Sequence, residues 1–242
     1  MSVPSAPVHR SVSTWQQPVP ASTTAERAAL LDRIAGRILA LGPGRLRVGV
    51  DGLTAAGKTT FAHELAVRIS AAGRPVLRAS LDDFKRPWRE RHRYDRESGP
   101  GYYRNAFDCA AIRRLLLEPA GASGSGRCVL CLIDPLTQLD HSSLVTTAGP
   151  DAVTIVDGVF AFRPELDDLW EHRIWLDVPA ELSVRRGVDR DAGRTGAAEA
   201  EALHRDRYLA AHRHYLADAD PLPRVDVIVD NADVDRPRLR RG

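Results

Sequence analysis

The sequence predicts an α/β fold in three layers, with helices on both faces of a largely parallel sheet. Three observations carry that expectation. A strand-like run, Leu46-Arg47-Val48-Gly49-Val50, opens into Gly52-Leu53-Thr54-Ala55-Ala56-Gly57-Lys58-Thr59, and helix-forming residues follow from Thr60. Short apolar runs then alternate with helical periods along the chain, the pattern of parallel strands joined by crossover helices. Two of those runs deliver aspartates, Asp82 and Asp157, at strand C-termini, where ligands gather in such sheets.

Taken in order, residues 1–22 hold prolines, serines and scattered polar groups, and read as a disordered N-terminal tail. Thr23 or Thr24 caps a helix over about 23–41, whose apolar face is Ala28, Leu31, Ile34, Ile38 and Leu41; Gly42-Pro43-Gly44 stops it. A strand at 45–50, the glycine loop and a helix at 58–72 follow. Val76-Leu77-Arg78-Ala79-Ser80 is the second strand. Residues 84–107 are polar, aromatic and arginine-rich with no clean period, and 108–117 is helical. A third strand is expected at 128–133, a turn or hairpin at 134–150, and a buried strand at Val153-Thr154-Ile155-Val156. Strand 173–177, helices at 181–191 and 197–217, and a last strand at 225–229 complete a single domain spanning 23–235. The basic stretch 236–242 reads as a loose tail.

The glycine stretch fits G-x-x-x-x-G-K-[ST], and its strand and helix flanks give it a mechanism: a P-loop NTPase site. Backbone N–H groups from Gly52, Leu53, Thr54, Ala55, Ala56, Gly57, Lys58, Thr59 and Thr60 turn around phosphate oxygens, helped by the helix N-terminus. Lys58 is expected to reach the β- and γ-phosphates and the Thr59 hydroxyl to hold Mg²⁺. The chain has only one other lysine, Lys85, against an abundance of arginine. A compact ammonium on a flexible stem fits between phosphates where a planar guanidinium does not. The loop is therefore expected to bind a nucleoside triphosphate with Mg²⁺.

Composition narrows the rest. At 242 residues and 43% hydrophobic content, one substantial domain with a core is expected. A net charge of +2 is low for a nucleic-acid binder, and no nucleic-acid partner is expected. No run of 18 apolar residues and no signal peptide are evident, so neither a membrane partner nor export is expected and the location reads as cytoplasmic. Cys128 and Cys131 form a C-x-x-C, but strand spacing sends them to opposite faces, the behaviour of buried small hydrophobes.

Asp157 closes an apolar run, the setting of a Walker B carboxylate for Mg²⁺. Gly158 follows it, where many hydrolytic P-loop proteins carry a second acid. No [NT]-K-x-D motif exists, which argues against a GTPase switch. Asp82, in Ser80-Leu81-Asp82-Asp83-Phe84, can face the γ-phosphate and take the proton of an attacking hydroxyl, with Asp83 beside it expected to contact the substrate. These motifs, with Asn105-Ala106-Phe107-Asp108 and Arg186-Gly187-Val188-Asp189-Arg190-Asp191, occur in an order that resembles the uridine kinase branch of the uridine kinase/phosphoribulokinase family. The resemblance covers about 45–232. It implies a five-stranded parallel core with a helical lid (181–217), ATP or GTP with Mg²⁺ as cofactor, and phosphorylation of a small-molecule hydroxyl. It further implies Asp82 as catalytic base, Asp157 as Walker B acid and Arg190 as a lid arginine that neutralises the transferring group.

Departures from the family pattern concern the acceptor. The family's ribose-binding aspartate has no counterpart in Gly101-Tyr102-Tyr103-Arg104, Gly187 replaces one of a paired arginine, and Thr195-Gly196-Ala197 stands for a final Arg-Gly-Arg, with Arg185 and Arg194 as displaced substitutes. The acceptor-side segment 84–107 offers Tyr94, Tyr102 and Tyr103 for stacking, and Arg104 or an arginine within 86–96 for an anionic group. The expected function is transfer of the γ-phosphoryl group to a hydroxyl, first of a nucleoside such as uridine or cytidine. Pantothenate, glycerate or a sugar phosphate is the alternative acceptor, and a regulatory or hydrolytic module the alternative class. A homo-oligomer stays open. His212 and His214 are expected at the surface.

Overall fold

The computed structural model describes residues 5–15, 22–90 and 95–242. In chain order the elements are β1 (Val8–Arg10), α1 (Ala25–Leu39), β2 (Leu46–Gly52), α2 (Lys58–Ala71), β3 (Val76–Ser80) and α3 (Gly99–Asn105). Then come α4 (109–120), β4 (Arg127–Val129), β5 (Val145–Thr147), β6 (Val153–Asp157) and β7 (His172–Asp177). The chain ends with α5 (Ala180–Thr195), α6 (197–219), β8 (Val227–Asp230) and β9 (Arg238–Arg241). Both α4 and α6 contain π-helical stretches, at Ile112–Leu117 and Leu203–Leu209.

The main sheet runs β1-β3-β6-β2-β7-β8-β9, and its five central strands are all parallel. Their apolar runs are buried on both faces because helices cover both. On one face α1 and α2 pack Leu31, Ile34, Phe61, Leu65 and Ile69 against the strands; on the other lie Leu116, Phe160, Phe162, Trp170 and Tyr215. Each such side chain contributes about 1.5–3 kcal/mol by leaving water. Thr24 caps α1, its hydroxyl accepting from Arg27 N–H at 3.3 Å. In the parallel register Asp157 lies opposite both Val50 and Ser80. The glycine loop, Asp82 and Asp157 therefore leave the same edge of the sheet side by side.

Three expectations need correction. The N-terminal stretch expected to be disordered contributes an edge strand, β1, paired in parallel with β3. Its continuation is tied down: the Ser11 hydroxyl donates to Asp83 at 2.6 Å, and Thr14 donates to Asp134 through its backbone N–H (2.6 Å) and hydroxyl (2.9 Å). The C-terminal stretch expected to be loose pairs antiparallel with β8, and Arg240 bridges Asp177 and Asp230 across that edge. The run expected as a third parallel strand instead forms the short hairpin β4–β5, separate from the main sheet. Beyond β4, Leu132 and Ile133 N–H groups both donate to the Asp83 carbonyl at 3.0 Å rather than to a strand ladder. Cys128 and Cys131 are both buried and free. No helix among the described residues is long and apolar enough to cross a membrane.

Candidate active site

The site begins where β2 gives way to the glycine loop. Gly52 sits at φ +144°, and a Cβ there would lie 2.4 Å from the Leu176 carbonyl oxygen of β7, so only glycine lets the two backbones approach. α2 starts at Lys58 with no side chain capping it, leaving its first-turn N–H groups available to an anion. Lys58 is buried and folds back on the loop, its Nζ donating to the carbonyls of Gly52 (3.1 Å) and Leu53 (2.6 Å). Burial pushes its pKa down, against the opposing pull of Asp51, Asp157 and Asp82. A triphosphate entering the loop would give this ammonium the anionic partner it lacks at close range.

The loop is braced from three sides. Ser183 of α5 donates to the Thr54 carbonyl at 2.6 Å, and Asn231, after β8, donates to the Ala56 carbonyl at 2.7 Å. The third brace, Asp51, was not anticipated from the sequence, although a carboxylate inside an apolar strand run is itself a signal. It is fully buried and accepts from the Gly52 N–H (2.6 Å), the Phe160 N–H (3.1 Å) and the Tyr215 hydroxyl (2.7 Å). Burial raises its pKa despite those donors. Asp51 thus links the loop to the segment after β6 and to α6.

Thr59 and Asp157 meet as a hard oxygen pair, the threonine hydroxyl 2.5 Å from Asp157 Oδ2. Arg78 of β3 holds the other carboxylate oxygen in a buried ion pair. Mg²⁺ characteristically takes one or two protein oxygens alongside phosphate and water, and this pair fits that requirement.

Asp82 lies at the tip of β3, half-buried, at the edge of a cleft of about 530 Å³. Lys85 Nζ is 2.8 Å from its Oδ1, and the Trp15 indole N–H donates to its Oδ2 at 3.2 Å. Burial works to raise the Asp82 pKa, but Lys85, Lys58 and Arg190 outweigh it and hold the carboxyl below its ordinary range. An ionised acceptor of protons is what a general base at neutral pH requires.

Asp83, expected to contact the substrate, points the other way. It is fully buried, accepts from Ser11, and does not line the cleft. Burial pushes its pKa up to about 7 although Ser11 and Ser13 oppose this, and the charges of Asp82 and Asp157 add to the rise. A folded-state pKa above the ordinary one means its contribution to stability is full below about pH 4 and is lost as pH rises through about 7. Asp83→Asn is therefore expected to flatten the dependence of Tm on pH between about 4 and 7 and to be at least as stable as wild type at pH 8. Its loss of kcat should be much smaller than that of Asp82→Asn, as paired melting and rate measurements would reveal.

The arginines expected in the lid are organised by Asp191. Arg190 donates to it through Nε (3.0 Å) and Nη2 (2.9 Å), Arg194 through Nη2 (3.0 Å), and His204 Nε2 lies 2.8 Å from its Oδ2. The His204 ring covers Gly187, where an added Cβ would lie 2.2 Å from it. That packing explains why no arginine stands at Gly187. Arg190, Arg194 and Arg186 line the cleft, whereas Arg185 is exposed and does not. Trp15 lies under this pair, 5.7 Å from the Arg190 guanidinium and 5.2 Å from that of Arg194.

On the acceptor side the structure sorts the expected residues. Tyr102 lines the cleft, with Lys85 Nζ 5.8 Å and the Arg207 guanidinium 4.8 Å from its ring centroid. Tyr103 does not: its hydroxyl donates to Asp218 at 2.6 Å on a separate surface depression that Arg104 also borders. Successive helical residues in α3 face different ways, so only one of the two tyrosines can point into the cleft. Tyr94, like Arg91 and Arg93, lies outside the described residues. Arg96 and Trp88 line the cleft, and so does His212, which is buried rather than at the surface. Burial drives the His212 pKa down to about 3, so it is neutral at physiological pH.

No family model matches the sequence. The chain is 26% identical over 155 residues to Uridine-cytidine kinase B of Dictyostelium discoideum, covering 62% of this chain and 59% of that protein. It is 25% identical over 171 residues to the uridine kinase of Leuconostoc citreum (strain KM20), covering 68% and 76%. A solved structure described as a possible uridine kinase from Bacillus stearothermophilus superimposes with a TM-score of 0.64 at 24% identity, covering 82% of this chain and 96% of that one. A protein from Silicibacter sp. TM1040, described provisionally as a fructose transport system kinase, gives 0.64 at 24% identity over 80% and 95%. The fold is therefore the P-loop α/β fold of these kinases. In sequence the chain is similar to the two uridine kinases at about a quarter identity, and it spans less than two thirds of the Dictyostelium relative's length.

Proposed function

We propose that this protein is a small-molecule kinase that moves the γ-phosphoryl group of ATP, or GTP, to a hydroxyl. The observation that carries the reading is the convergence on one cleft of Lys58, the Thr59–Asp157 pair, Asp82 and Arg190. In this reading the loop amides and Lys58 hold the phosphates, and Thr59 and Asp157 hold Mg²⁺. The bound metal ion would neutralise phosphate charge as the leaving group departs. Asp82 accepts the proton of the attacking hydroxyl, and Arg190, oriented by Asp191, faces the charge that develops on the transferring group. Gly158 in place of a second Walker B acid supports transfer to an alcohol over hydrolysis.

The names of the relatives make a nucleoside such as uridine or cytidine the first acceptor to consider, and the partly exposed rings of Tyr208 and Trp15 at the cleft give a base surfaces on which to stack. Pantothenate, glycerate and sugar phosphates are the alternatives, because the family's ribose-binding carboxylate has no counterpart here. The deciding experiment is a panel of these hydroxyl compounds assayed for acceptor-dependent ADP formation with Mg²⁺ and ATP or GTP. Acceptor-dependent turnover that vanishes without Mg²⁺ is expected. Phosphate release indifferent to every acceptor would instead favour a hydrolytic or regulatory module.

A further inference from the structure

The acceptor half of the cleft holds more positive charge than its own carboxylates can balance. Lys85, Arg96 and Arg207 line it, and Asp82, the carboxylate at its edge, is already engaged by Lys85 at 2.8 Å. Arg207 rests against Tyr102, and Glu97, its carboxylate partner at 3.3 Å, is 80% exposed, so water screens that pair. Arg96 is only 7% exposed, yet among the described residues no carboxylate lies within ion-pair distance of it, and the attraction it feels from Glu97 comes from an exposed, water-screened side chain. The neighbouring residues outside that description, 91–94, read Arg-His-Arg-Tyr and contain no acid. One Arg96 nitrogen, Nη1, is anchored to the Arg86 carbonyl at 2.9 Å, with the Pro87 carbonyl at 3.5 Å. Among the described residues, the buried Nε atoms of both Arg96 and Arg207 have no partner.

A desolvated guanidinium without a counter-charge is costly, and so is a buried donor left unpaired. Among the described residues, seven cationic side chains and three carboxylates line the cleft, an excess that a magnesium-bound triphosphate offsets only in part. A neutral nucleoside can accept hydrogen bonds from Arg96 and Arg207 but brings neither of them a counter-charge.

We propose that the acceptor itself carries a phosphate ester, bound by Arg96 and Arg207, with its free hydroxyl presented to Asp82. The inference rests on the kinase reading above and names the substrate class for it. A phosphomonoester brings about −1.5 to −2 charges and several acceptor oxygens, which suits two guanidinium forks better than a single carboxylate does. In the reaction the acceptor oxygen bonds to the γ-phosphorus, the bond from that phosphorus to the bridging oxygen of the β-phosphate breaks, and the hydroxyl proton passes to Asp82. The products are ADP and a bisphosphorylated acceptor. Arg104, the other arginine considered from the sequence, is exposed and borders a different depression.

The test begins with the nucleotide site filled by Mg²⁺ and the non-hydrolysable β,γ-imido analogue of ATP, so that free phosphate cannot report on the glycine loop. Inorganic phosphate is then titrated against chloride at matched ionic strength, with Tm as readout, for wild type, Arg96→Gln, Arg96→Lys and Arg207→Gln. Phosphate should raise the wild-type Tm, and each glutamine variant should need at least about tenfold more phosphate for the same rise; Arg96→Lys should retain part of it. No rise in wild type, or equal rises in all four proteins, overturns the proposal. If the analogue itself does not raise the wild-type Tm, the nucleotide reading fails, a result distinct from failure of the acceptor site. In the turnover arm a sugar phosphate should outperform a hydroxycarboxylate and a neutral nucleoside, and Arg96→Gln should raise its KM without changing that of ATP. Efficient uridine phosphorylation insensitive to both arginine substitutions overturns the phosphate-ester assignment, and so does a preference for the carboxylate.

Discussion

Lys58→Ala is expected to abolish measurable phosphoryl transfer and to weaken nucleotide binding. Lys58 Nζ already sits within 3.1 Å of two loop carbonyls, inside the curve that phosphates would fill. Removing a single preorganised donor to developing charge typically costs about 10²–10³ in kcat, and here ground-state phosphate contacts are lost as well. Lys85 cannot substitute, because Asp82 holds it at 2.8 Å. Lys58→Arg should fare little better, since a planar fork cannot occupy the pocket of a compact ammonium. Initial rates and nucleotide titrations on both variants check this; near-normal turnover in Lys58→Ala would mean that the phosphates bind elsewhere.

Asp82→Asn is expected to retain nucleotide affinity while losing about 10²–10⁴ in kcat, the usual range for loss of a general base. Because neighbouring cations hold the Asp82 carboxyl below its ordinary range, wild-type kcat should stay flat as pH falls from about 8 to about 5. Asp82→Asn also leaves Lys85 without its carboxylate. Burial disfavours the Lys85 charge, but Asp82, aided by Tyr102 and Tyr208, holds its pKa above the ordinary value. A melting curve alongside the kinetics separates that loss of stability from loss of chemistry. A kcat that drops in Asp83→Asn and not in Asp82→Asn would shift the base by one residue.

What the sequence made legible was local. The glycine loop, Lys58, Thr59, Asp82 and Asp157 each sit within or just beyond a short run whose own pattern predicts strand or helix, and parallel register then brings them together. β1 was hidden because three residues in a proline- and serine-rich stretch have no period, and only the open edge of β3 makes them a strand. Trp15 was hidden for the same reason, although it touches Asp82, Arg190 and Arg194. In the aromatic segment, composition announced an acceptor side but not its direction. Whether Tyr102 or Tyr103 faces the cleft depends on how α3 packs against α6, which no short spacing encodes. The lid shows the same limit: Gly187 read as a missing arginine, whereas the structure fills its place with the His204 ring from the π-helical stretch of α6.

The proposed chemistry is tested most directly by following the γ-phosphoryl group itself. ATP labelled in that group is incubated with the enzyme, Mg²⁺ and the acceptor panel, and the label is traced into organic product and inorganic phosphate, with Lys58→Ala as control. Label should enter an organic phosphate in step with ADP, only when an acceptor is present and only with wild-type Lys58. Label that leaves as inorganic phosphate at the same rate with or without acceptors would contradict a kinase.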